Sequence, residues 1–91
     1  MNERPQLLQE RQKTHGNFDM NATISQRLKE QFRLVHPHYE NLCPVHKEAL
    51  DMIALKLSRI LSGQASFTDH WDDIAGYAQL GAEATRDIRD L

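Results

Sequence analysis

Pro44-Val45-His46-Lys47-Glu48-Ala49-Leu50-Asp51-Met52-Ile53-Ala54-Leu55-Lys56-Leu57-Ser58-Arg59-Ile60-Leu61-Ser62-Gly63 is the stretch that decides the fold. Pro44 opens it where the first turn of a helix needs no N–H. Glu48 sits near the positive end of the helix dipole. Ser62-Gly63 closes it, because Gly tolerates the left-handed backbone that ends helices. Between these ends the apolar residues are not confined to a stripe; from Ala49 to Leu61 they run nearly all round the helix. A helix of that kind in water has to be covered on every side. A chain of 91 residues offers only two or three other helices to cover it, and a domain of this length buries only about 60% of its unfolded surface. The stretch therefore predicts an all-α fold, a small helical bundle in which the 44–62 helix is enclosed by its neighbours and by self-association into a homodimer or higher oligomer.

Working outward, Met20, Ile24, Leu28 and Phe32 recur every fourth residue and predict an amphipathic helix over 19–35, capped by Asp19 or Asn21. Before it, Thr14-His15-Gly16-Asn17-Phe18 is a turn, with Phe18 expected to staple onto the core. Residues 1–13 are polar apart from Leu7 and Leu8, and form a short N-terminal arm or a frayed tail. After it, Pro37 pushes His36 out of helical geometry, so His36 to Cys43 is a connection. Downstream, Gln64 to Phe67 is a loop, and Thr68 or Asp69 caps a last helix over 68–88. There Trp71, Ile74, Ala75, Ala78 and Ala82 share one side, with Trp71 expected as core. The small residues Gly76, Ala78, Gly81, Ala82 and Ala84 let another helix come close. Residues 1–91 thus read as a single domain of three main helices and an arm, with no internal repeat.

Composition narrows the function classes. Net charge is −2, and the 11 Lys and Arg are interleaved with 13 acids, so there is no basic face for general nucleic-acid binding. The single cysteine, Cys43, cannot form an intramolecular disulfide and suits a reducing cytosol. No segment approaches the ~18 apolar residues that span a bilayer, and Met1 to Lys13 lacks the apolar core of a signal peptide. The expectation is a cytoplasmic protein with no membrane partner.

The residues able to carry chemistry lie in Asp69-His70-Trp71-Asp72-Asp73-Ile74-Ala75-Gly76-Tyr77 and in the Lys56-x-x-Arg59 step. Acids in a first helical turn offset the dipole by roughly 0.3–1 kcal/mol each. Asp69 also shares a face with Asp72 and Asp73, where paired carboxylates can hold Mg²⁺ against a phosphate. Lys56 and Arg59, on an otherwise apolar helix, need a counter-charge. Asp73 of the facing helix can supply it; a ligand phosphate is the alternative. Trp71 or Tyr77 could stack on a base. Gly16 and Asn21 flank a turn that can either accept an anion on backbone N–H groups or simply start a helix. The five histidines have no zinc spacing; Cys43 and His46 are neighbours, but two ligands do not make a site.

Two resemblances add to this. Glu48-x-x-Asp51 followed by Asp69-x-x-Asp72 resembles the facing acidic pairs of all-α nucleotide pyrophosphohydrolases of the MazG type. That likeness implies Mg²⁺ held by Asp51, Asp69, Asp72 and Asp73, with water as the nucleophile on a nucleoside triphosphate. The segments Glu10 to Asn21, Leu50 to Ile60 and Asp69 to Ala78 together resemble a family of small phage and prophage proteins catalogued as a domain of unknown function. The matching motifs are Lys-x-x-Arg-Ile and Asp-x-Trp-x-Asp-Ile-x-Gly-Tyr. His15 and Asn17 stand where that family often has Tyr and Asp. The resemblance implies a phage or prophage origin, no settled activity, and one candidate cluster of Gly16, Asn21, Lys56, Arg59, Asp69, Trp71, Asp73, Gly76 and Tyr77. Three functions are therefore expected to compete. The first is non-catalytic binding of a nucleotide or nucleotide-like signal without a cofactor, used against host defence. The others are Mg²⁺-dependent pyrophosphohydrolysis and a pure interaction module that blocks a host protein.

Overall fold

The computed structural model describes residues 17–35, 37–64 and 68–89. They form helix α1 over Phe18–Leu34, α2 over Pro44–Arg59, a π-helical turn over Ile60–Gln64, and α3 over Thr68–Arg89. No strand occurs among the described residues. The fold is the expected all-α one with three main helices. The arm over 1–13 lies outside the described residues; Thr68 and Asp69, expected to cap the last helix, are instead the first two residues inside it.

Each boundary has a local cause. The cap of α1 is Asn17, not Asp19 or Asn21: its side-chain oxygen accepts from the Met20 N–H at 3.0 Å, which satisfies one of the orphan donors of the first turn. The difference arises because Asp19 already has helical neighbours and serves the dipole from inside the first turn. Between α1 and α2 the chain turns through Tyr39 N–H to Val35 O at 3.2 Å and Asn41 N–H to Pro37 O at 3.1 Å. Tyr39 holds this turn down by stacking on Phe32, ring centroids 6.4 Å apart, with the Lys47 ammonium 5.5 Å from its ring. Pro44 starts α2 with Cys43 as its cap residue. Gly63 ends the π turn at φ 121°, a backbone region that other residues enter only with strain.

The packing departs from the expected bundle. α2 lies between α1 and α3, while α1 and α3 hardly touch each other. The Ser58 hydroxyl, fully buried, is hydrogen-bonded to the Asn21 side-chain amide of α1 and to the Leu55 carbonyl at 2.6 Å. On the opposite side of α2, His46 and Lys56 reach α3, so α2 and α3 form an antiparallel hairpin. What is buried on α2 is small: Ala49, Ala54 and Ser58. Small residues let two helices press on α2 from opposite sides, and the larger Leu50, Met52, Ile53 and Leu57 are left half-covered at the flanks. The three helices therefore make an open layer.

Within this chain α2 is not enclosed all round. Three expectations are corrected. Phe18 does not staple onto the core, since 61% of it is exposed, and Trp71 is not core, since 51% of it is exposed. Nor is Gly76 a close helix contact: a Cβ added there meets nothing within 4 Å.

Two glycines should therefore respond in opposite directions. Gly63→Ala forces a side chain into a left-handed conformation and should cost about 1–2 kcal/mol, a fall of roughly 4–8 °C per kcal/mol in melting temperature. Gly76→Ala removes a helix-interior glycine from open space and should raise stability by up to about 1 kcal/mol. Thermal melts by circular dichroism at one fixed protein concentration measure both.

Candidate functional site

The basic step on α2 and the acidic start of α3 meet in one ion pair. Lys56 and Asp73 face each other across the hairpin, and the Lys56 ammonium lies 2.8 Å from the Asp73 carboxylate. Lys56 is 12% exposed and Asp73 45% exposed, so the pair sits at the rim of the interface with its cation inside. The hydrogen bond from Lys56 holds the Asp73 carboxyl below its ordinary value. Loss of water around the carboxylate opposes this, and the charges of Lys56, His70 and Arg59 reinforce it. His70 itself is buried. Arg59 stands one turn on from Lys56, and its buried Nε has no hydrogen-bond partner among the described residues.

The other candidate residues do not converge there. Asp69 and Asp72 are exposed. Asp51 is about 140° round α2 from Lys56, five residues back at 100° each. Among the described residues no group of three or more His, Cys, Asp or Glu is placed to hold a metal ion. Asn21 is committed to Ser58, and Gly16 lies outside the described residues. Trp71 is half-exposed on α3. Tyr77 lies between two apolar grooves of the hairpin, lining both. One, of about 330 Å³, runs past Leu42, His46, Leu50, Ile53, Ala78 and Gly81. The other, of about 320 Å³, runs past Val45, Glu48 and Leu80. Lys56, Arg59, Asp69 and Asp73 line neither.

A second polar cluster escaped the sequence reading. His46 Nδ1 lies 3.3 Å from the Cys43 thiol, and Nε2 lies 3.0 Å from the Gly81 carbonyl and 2.9 Å from the Thr85 hydroxyl. Thr85 donates to Gly81 O at 3.0 Å. A carbonyl can only accept, so Nε2 carries the proton and Nδ1 is the atom turned to the thiol. Cys43-x-x-His46 and Gly81-x-x-x-Thr85 are the spacings that could have shown it: each brings its pair together on one helix, and the hairpin register then joins them. The cluster pins the N-terminal end of α2 to the C-terminal half of α3.

A family model described as a domain of unknown function (DUF6378) matches residues 2–85. The chain belongs to the DUF6378 family. No curated protein matches it, and no solved structure does. In this DUF6378 chain, the match spans α1, α2 and α3 up to Thr85, so the ion pair and the His46 cluster fall within the family's domain. No helix among the described residues is long and apolar enough to cross a membrane.

The ion pair makes a pH prediction with a definite sign. A carboxylate whose folded value is depressed stabilises the fold above its unfolded value and loses that contribution as pH falls through the folded one. For Asp73 the loss therefore begins near 3.8 and continues below it. Asp73→Asn should destabilise at neutral pH, and its difference from the parent chain should shrink by about pH 2. Lys56→Met, which removes the nearly buried charge along with its partner's role, should cost less than Asp73→Asn. Urea titrations of the three proteins at both pH values measure this; a gap that does not change with pH would rule the pair out as its source.

Proposed function

We propose that this DUF6378 protein is a non-enzymatic helical interaction module, of phage or prophage origin, that works by binding a host protein in the cytosol. One observation supports it above the others: the lysine best placed to take a phosphate is already neutralised by Asp73, while the hairpin's described grooves are apolar and lie elsewhere. A ligand phosphate would have to displace the Asp73 carboxylate from a nearly buried Lys56, and doing so would leave a carboxylate beside an incoming anion. A protein partner needs no such exchange; it covers apolar side chains that the monomer leaves half-exposed.

A second reading, binding of a nucleotide or nucleotide-like signal used against host defence, is favoured by the buried Arg59 Nε that lacks a partner among the described residues. Guanidinium groups are suited to phosphate oxygens, and Trp71 stands half-exposed on the neighbouring helix. Mg²⁺-dependent pyrophosphohydrolysis draws no support from the placement of Asp51, Asp69, Asp72 and Asp73.

Lysate pull-downs together with calorimetry separate these readings. Under the first, the same host protein is retained by the parent chain, by Lys56→Ala and by Asp73→Ala. A panel of mono-, di- and cyclic nucleotides then gives no heat and no thermal shift, and triphosphates with Mg²⁺ or Mn²⁺ release no pyrophosphate. Nucleotide binding that Arg59→Ala weakens by tenfold or more, about 1.4 kcal/mol, would replace the first reading with the second.

A further inference from the structure

The bonds that join α2 to α3 through His46 occupy one ring nitrogen only. Nε2 donates to the Gly81 carbonyl at 3.0 Å and to the Thr85 hydroxyl at 2.9 Å, which leaves Nδ1 as the basic atom, 3.3 Å from the Cys43 sulfur. This last contact joins no helices, since Cys43 and His46 belong to the same first turn of α2. Its chemistry is that of a thiol proton aimed at a neutral imidazole. The placement is held from both sides. Pro44 keeps Cys43 out of helical geometry, at φ −74° and ψ 162°, and the Lys47 N–H donates to the Cys43 carbonyl at 3.0 Å. On the far side of the ring the Thr85 hydroxyl donates on to Gly81 O at 3.0 Å, so the oxygen that accepts from Nε2 is itself fixed. Nucleophile, base and orienting group thus stand in the order that activated thiols use.

We propose that Cys43 is a nucleophilic thiol with His46 as its general base, and that it exchanges with small uncharged disulfides whose apolar arm lies in the groove of about 330 Å³. Cys43 is half-buried and makes no capping hydrogen bond to the helix it starts. His46 lines the groove together with Leu42, the residue before Cys43, so the groove opens beside the pair. In the exchange the thiol proton passes to His46 Nδ1 as the sulfur attacks. One S–S bond forms, the S–S bond of the disulfide breaks, and the departing thiolate takes the proton back from Nδ1. The products are a mixed disulfide on Cys43 and one free thiol, with no other oxidant or reductant involved.

The class of electrophile follows from what surrounds the sulfur. Attack on a carbonyl builds an oxyanion, which needs hydrogen-bond donors aimed at it. Attack on a disulfide builds none and spreads its charge over sulfur atoms, so an apolar wall suits it. The charge that does develop on sulfur lies at the positive end of α2. On this turn the base is His46 and not Lys47, whose ammonium sits 5.5 Å from the Tyr39 ring centre. The groove has His46 and Tyr77 as its only titratable lining residues, which favours an uncharged arm over a charged one. The inference goes beyond the interaction-module reading and is independent of it: the step takes place on the isolated chain, with no host protein present.

Exchange with dipyridyl disulfide, followed by the absorbance of the released thiopyridone, tests this on the full chain, whose single cysteine is the only thiol that can react. Each rate is divided by that of N-acetylcysteine in the same solvent. On that scale the folded chain should react faster than the chain unfolded in urea, whereas half-burial alone would make it slower. His46→Gln keeps a donor for Gly81 and Thr85 but has no basic nitrogen, and should slow the folded reaction at least tenfold, with helicity checked by circular dichroism. Thr85→Val should slow it severalfold and Thr85→Ser should restore it, as expected of a positioning residue. Ala78 is exposed and lines the groove; Ala78→Gln should slow dipyridyl disulfide but not hydroxyethyl disulfide, which has no aromatic arm. A folded chain that reacts no faster than the unfolded one overturns the proposal, and that comparison decides the matter where His46→Gln does not fold. A folded His46→Gln with the parent rate overturns it as well. Ala78→Gln acting equally on both reagents overturns the assignment of the groove to the apolar arm.

Discussion

The whole arrangement depends on α2 being gripped from opposite sides at small residues. Ala54 and Ser58 let α1 come close on one side, and Ala49 lets α3 come close on the other. Close approach gains dispersion contacts along the helix backbones. It also buries the Ser58 hydroxyl, which would be costly if unpaired. The Asn21 amide and the Leu55 carbonyl remove that cost, and in doing so fix the register of α1 on α2. A larger residue at either face would lift a helix away and lose the bond. Because two opposed faces are used in this way, α1 and α3 hardly touch, and the flanks of α2 stay open.

Polar side chains then do the positioning that a large core does elsewhere. Lys56–Asp73 ties the π-turn end of the hairpin, and His46 with Gly81 and Thr85 ties the other end. Each is a directional contact between α2 and α3, and two such contacts at opposite ends fix both spacing and sliding register. The acids at the start of α3 divide accordingly: Asp73 serves the hairpin, while Asp69 and Asp72 remain at the surface. The Asp-x-Trp-x-Asp-Ile motif is thus split between scaffold and surface, the second Asp turned inward and the Trp turned out.

Helix class, number and approximate extent were legible from periodicity and from the punctuating Pro44 and Gly63, because those signals are local. Asp73 as counter-charge for Lys56 was legible too, since a charge on an apolar helix narrows the choice of partners. What stayed hidden depends on how faces are shared between helices. Apolar residues all round α2 said that it needs cover, but not that two helices would take opposite faces and leave the flanks; only the positions of the small residues carry that, and small residues are weak signals one at a time. Trp71 was read as core on the side it shares with Ile74, Ala75, Ala78 and Ala82, yet its angle on α3 places it beside the interface. The His46 cluster is signalled within single segments only as the spacings Cys43-x-x-His46 and Gly81-x-x-x-Thr85, and joining the two takes the register between helices.

The distribution of chemistry within the molecule bears on where function resides. Chemistry at an enclosed site needs polar groups held free and aimed into a recess. Here the described recesses are apolar; His46, which lines one of them, and Lys56, which lines neither, are both spent on joining helices. The large side chains that would normally form a core, Trp71, Leu80 and Val45 among them, stand about half-exposed. Large apolar side chains left at the surface beside polar struts between helices are what the proposed interaction-module reading would have a partner cover. In such a molecule completing the fold and binding a partner draw on the same side chains, so the hydrophobic effect that a chain this short cannot fully exploit alone becomes available on association.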